Sequence, residues 1–83
     1  PNPFNPSTQI EFAVPEETYI NLSVYDIMGR HVKTLVDGKI NIGYHQLVWD
    51  GTNSENNKVS ASLYIYVLKN NKVTITKKMI MMK

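Results

Sequence analysis

Apolar residues alternate with polar ones in short stretches separated by turn residues at intervals of about 8 to 12 positions, a spacing that fits strands of a sandwich or barrel. No stretch of helical period competes with it. Ile10, Phe12 and Val14 share one face of a first strand that Pro15 ends, and Ile20, Leu22 and Val24 share one face of a second. The segment Ile27-Met28-Gly29-Arg30 is expected to turn, with Gly29 at positive φ, and His31 to Val36 to return as a third strand stopping at Asp37-Gly38.

Gly43 restarts the chain, and a strand from Tyr44 to Asp50 places Leu47 and Trp49 on one face. The polar run Gly51-Thr52-Asn53-Ser54-Glu55-Asn56-Asn57 has no apolar area to bury and is expected as a surface loop, with Asn56 or Asn57 left-handed. The segment Leu63 to Lys69, with β-branched and aromatic residues at both parities, predicts a central strand covered on both faces. Asn70-Asn71 then turns into a last strand from Lys72 to Met82. The sum is an all-β chain, an immunoglobulin-like antiparallel β-sandwich of about seven strands. Residues 1–8 read as a linker with an N-terminal signature, and residues 9–83 as one β-sandwich domain. Its expected core is Phe12, Leu22, Val24, Leu47, Trp49 and Ile65.

A chain of 83 residues builds a thin core and leaves no room for a substrate-enclosing cleft. The absence of Cys excludes disulfides, thiolate metal sites and Cys nucleophiles. Only His31 and His45 are residue types that could act as a general base near neutral pH, and each sits in a strand without an evident nucleophile or orienting acid, so neither an enzyme nor a cofactor is expected. Asp26, Asp37 and Asp50 fall at or near strand ends, where Asx side chains ordinarily bond turn amides. The aromatic residues are expected to supply core bulk rather than a stacking platform. Charge is uneven: three basic and seven acidic residues precede Lys58, whereas residues 58–83 hold six Lys and no acid. With one Arg and no recognition helix, nucleic acid is not an expected partner.

Several segments, in order, resemble the type A C-terminal sorting domain of substrates of the type IX secretion system. They are Asn2-Pro3-Phe4-Asn5-Pro6-Ser7-Thr8, then Tyr25-Asp26-Ile27-Met28-Gly29-Arg30 with Val32 and Leu35, and Gly43-Tyr44-His45 with Trp49-Asp50-Gly51. Leu63-Tyr64-Ile65-Tyr66 and a closing Lys77-Lys78-Met79-Ile80-Met81-Met82-Lys83 complete the series. The resemblance implies a label that directs an N-terminal passenger through the periplasm to the cell surface or medium. Its implied partners are the outer-membrane translocon with its shuttle and sortase proteins, and Lys77, Lys78, Met79, Ile80, Met81, Met82 and Lys83 would be the segment recognised. The terminal strand also offers a route to self-association. A related resemblance, through the Asp26-x-x-Gly29 and Trp49-Asp50-Gly51 regions, is to the immunoglobulin-like part of flagellar hook-capping proteins, which does not imply a Lys-rich apolar tail. A structural or adhesive extracellular module, assembling by strand addition or binding carbohydrate, is the alternative reading.

Overall fold

The computed structural model describes residues 8–82, so residues 2–7 of the N-terminal signature and Lys83 lie outside the described residues. Six strands follow in order: β1 (Thr8–Val14), β2 (Thr18–Asp26), β3 (His31–Ile40), β4 (Gly43–Trp49), β5 (Ser62–Lys69) and β6 (Thr74–Met81). They form a two-stranded sheet, β1-β4, and a four-stranded sheet of order β3-β2-β5-β6, with every pairing antiparallel. The all-β sandwich is as expected, with six strands in place of about seven. The polar segment after Trp49 contributes only an isolated Thr52–Lys58 bridge. Without alternating apolar side chains, that segment has no face to lay on a core.

Local chemistry accounts for the turns. The Asp26 carboxylate accepts hydrogen bonds from the Met28 and Arg30 amides, both at 2.9 Å, and from Arg30 Nε at 2.8 Å. Gly29 takes φ +82° within this turn, a conformation open to a residue without Cβ. The backbone and Arg30 bonds hold the Asp26 carboxyl below the usual carboxylate range. Asn56 carries the left-handed loop conformation at φ 64°. The expected stop at Asp37-Gly38 is corrected: β3 continues to Ile40, with Gly38 opposite Ile20 and Ile40 opposite Thr18. A glycine within a strand costs about 0.5–1 kcal/mol. The ladder that continues on either side offsets that cost.

The core lies between the sheets and is formed by Ile10, Ile20, Leu22, Val24, Val32, Trp49, Tyr64, Leu68, Met79 and Met81. Of the residues expected there, Leu22, Val24 and Trp49 are fully buried, and Phe12 and Leu47 are partly buried against the cluster. Ile65 is a correction. It pairs with Tyr25 and Lys78 on the opposite face of β5, while its neighbours Tyr64 and Tyr66 supply the core side. The expectation that β5 is covered on both faces is corrected with it, since β5 is central in its sheet but Leu63, on the Ile65 face, remains exposed. Period-two alternation separates the two faces of a strand without saying which is covered.

Candidate interaction surfaces

The two ends of the sandwich are finished differently. At one end, Trp49 closes β4 and meets the Tyr64 ring edge-on at a centroid distance of 5.0 Å. Its indole N–H donates to the Thr52 carbonyl at 2.9 Å, which satisfies the one polar atom that burial of Trp would otherwise orphan. Asp50 Oδ1 accepts from the Thr52 amide at 3.1 Å and from the Thr52 hydroxyl at 2.6 Å, and Lys33 Nζ donates to Thr52 Oγ1 at 2.6 Å and to Asn56 Oδ1 at 3.2 Å. The Ser54 amide bonds the Val32 carbonyl at 2.9 Å, tying the loop down onto β3. The Thr52 hydrogen bonds, assisted by Lys33 and Lys58, hold the Asp50 carboxyl below its ordinary value.

The opposite end is open. A cavity of about 360 Å³ lies between the C-terminal end of β1, the start of β2 and the β5–β6 turn. Phe12, Ile20, Leu68, Val73 and Ile75 are among its apolar walls, and Glu16, Lys69 and Lys72 stand at its border. Lys72 Nζ lies 3.9 Å from Glu16 Oε2, both side chains being largely exposed. Such a pair contributes little to stability in water. Val73 and Ile75 were invisible as site residues because their parity, shared with Met79 and Met81, predicts core. That parity is the signal that could have found them, yet only the missing cover above them turns core into cleft.

The outer face of the four-stranded sheet is a third feature. Tyr25, Ile65 and Lys78 stand in one cross-strand row, and Leu63 faces Ile80 in the next. His31 packs edge-on to Tyr25, and Ile80 is 68% exposed. At the adjoining turn Met28 is 74% exposed. The terminal segment singled out in the sequence alternates only from Lys78 onward, since Lys77 shares the parity of Met79 and Met81 but is exposed. Met79 and Met81 are core, whereas Lys77, Lys78, Ile80 and Met82 are exposed. Its residues up to Met81 belong to β6, an edge strand of the four-stranded sheet.

The histidines are occupied structurally. His31 Nε2 lies 2.8 Å from Thr34 Oγ1, and His45 Nε2 lies 2.7 Å from the Asn41 carbonyl while its ring stacks on Phe12. Among the described residues no group of three His, Asp or Glu side chains converges as a metal site. Tyr64 is buried and Tyr66 packs against the core, but Tyr19 and Tyr44 are exposed and hydrogen-bond Asp37 and Glu11. Those bonds raise both phenol pKa values above the ordinary one.

A small antiparallel sandwich with one end sealed by a Trp-anchored loop, and with its exposed features apolar faces and edges, defines an immunoglobulin-like structural domain. The family model of the FlgD Ig-like domain matches residues 5–73, and the chain belongs to that family. Among curated proteins, none matches. Solved structures agree on the fold. FlgD from P. aeruginosa superposes with a TM-score of 0.70 at 19% identity, over 90% of this chain and 59% of that one. FlgD from Xanthomonas campestris, tied to hook capping essential for flagellar assembly, gives 0.69 at 22%, over 92% of this chain and 56% of that one. This chain thus spans less than two thirds of either.

The family corrects the functional expectation. The match is to the immunoglobulin-like domain of hook-capping proteins, so the reading as a type IX sorting label falls, and with it the translocon, shuttle and sortase as partners. The Tyr-Asp-x-x-Gly-Arg turn and the Trp-Asp-Gly loop, which carried both resemblances, do not separate them. In this chain they encode an Asx-capped turn and an indole-anchored loop, features of local folding rather than of a partner site.

Proposed function

We propose that this domain is a structural module of an exported hook-capping protein, where it holds neighbouring protein subunits in place during assembly. The observation that supports this reading is the family match over residues 5–73. The exposed features fit it: they are apolar rows and free strand edges, which suit contact with other proteins. The placement outside the cell follows from a capping role and from nothing in the fold.

In-frame removal of residues 8–82 from the chromosomal copy tests the reading. Counting hooks and filaments by electron microscopy should show assembly lost or malformed while the remainder of the protein is still made. Wild-type hooks and normal swimming in that strain would overturn it. Replacing His31 and His45 together by Gln should leave assembly at the wild-type level, because neither ring has an acid-base role.

A further inference from the structure

The open end of the sandwich can be assigned an occupant. Phe12, Ala13 and Val14 of β1 border the cavity, but none of Gly43, Tyr44 and His45, their β4 partners, does. Ala13 is exposed on the outward side of β1, so the cavity reaches around that strand. Among the described residues β1 pairs with β4 alone, and the cleft therefore opens along the β1 edge that no described strand pairs with.

That edge carries a row of backbone donors and acceptors, and an extended segment laid beside it would satisfy them. Its inward side chains would enter a cleft of about 360 Å³, within the roughly 300–1,000 Å³ of ordinary ligand sites. Ile20 and Leu68 lie at the bottom as core residues, whereas Val73 and Ile75, 53% and 42% exposed, leave apolar area for a guest to cover.

The charge at the mouth says what else the guest carries. Lys72 is near Glu16, but among the described residues no carboxylate lies within 4.0 Å of Lys69. No acid follows Glu55 in the sequence, so the charged groups on the β5–β6 side of the cleft, Lys69 and Lys72, are both cations. We propose that the cleft binds an extended segment of a neighbouring protein subunit, apolar at the side chains that enter and acidic beside them, by strand addition to β1. The proposal rests on the scaffold reading above and supplies the surface and the chemistry of its contact.

The test uses the 83-residue chain, 15N-labelled, titrated with the peptide acetyl-Glu-Val-Ile-Val-Glu-amide and with its counterpart bearing Lys in place of Glu. Expected are amide shifts at Phe12, Ala13, Val14, Leu68 and Ile75, and several-fold weaker binding of the Lys peptide. Ile75→Trp, which fills the cleft, should abolish the shifts, and Lys69→Glu should reverse the preference, with circular dichroism unchanged in both. Shifts confined to β3 or to the outer face, or none at saturating peptide, would overturn the proposal. So would binding of laurate at the cleft without binding of the peptide. In cells, Ile75→Trp should impair assembly as the domain deletion does. A harmful deletion beside a harmless Ile75→Trp would sink the cleft and leave the scaffold reading standing, whereas a harmless deletion with peptide binding intact would do the reverse.

Discussion

The end of the sandwich built on Trp49 and the end built on Phe12 and Ile75 start from similar materials, an apolar cluster between two sheets, and finish differently. At the first, a polar loop folds back over the aromatic pair and supplies a partner for each buried polar group. At the second, Pro15 follows the end of β1 and no loop covers Val73 and Ile75 among the described residues, so apolar side chains meet water. Enclosure, not composition, separates a stabilising cluster from a binding one. A small domain with few kcal/mol in reserve concentrates its stability at the sealed end.

The largest effect should follow Trp49→Ala, which removes a fully buried aromatic together with its hydrogen bond and should cost about 3–5 kcal/mol. Chemical denaturation measures it, and a midpoint close to wild type would erase the contrast between the ends. Next, Thr52→Val strips the hydroxyl that links Lys33 to Asp50 and should cost about 1–3 kcal/mol, since partners are left unsatisfied in a part-buried network.

Asp50 sharpens the comparison through pH. Its folded pKa is depressed, so the contribution is present in full above the unfolded value of about 3.9 and is lost as pH falls through the folded value below it. Melting temperature should therefore drop on acidification below about pH 4, and Asp50→Asn should show a shallower fall. An identical acid profile in the variant would mean the Thr52 bonds do not favour the charged form. The smallest effect belongs to the open end. Val73→Ser removes exposed apolar area at the cleft and should shift stability by no more than about 0.5 kcal/mol, read by the same denaturation. A loss as large as that of Thr52→Val would show the cleft to be closed in solution.

How far the sequence carries is clear from particular residues. Leu22, Val24 and Trp49 were legible as core because alternation and size suffice to place them, and Gly29 because its turn needs positive φ. Ile65 was not, since β5 is apolar at both parities and only the placement of the second sheet decides which parity is covered. The extension of β3 past Gly38 was hidden for a related reason: a turn signal is local, whereas the ladder opposing it lies on another strand. The cleft is a property of what fails to overlie Ile75, and no residue encodes an absence.

The pairing of β1 with β4 bears on the order of events when the chain is made. The hairpins β2–β3 and β5–β6 join neighbours in sequence, but β1 must wait until β2 and β3 have been synthesised before β4 exists to receive it. Contacts between distant segments close late, because loop entropy must be met before they contribute. A nascent chain halted anywhere before Gly43 therefore holds its first strand loose, and the aromatic lock of Trp49 on Tyr64 is fastened only when β5 has followed β4.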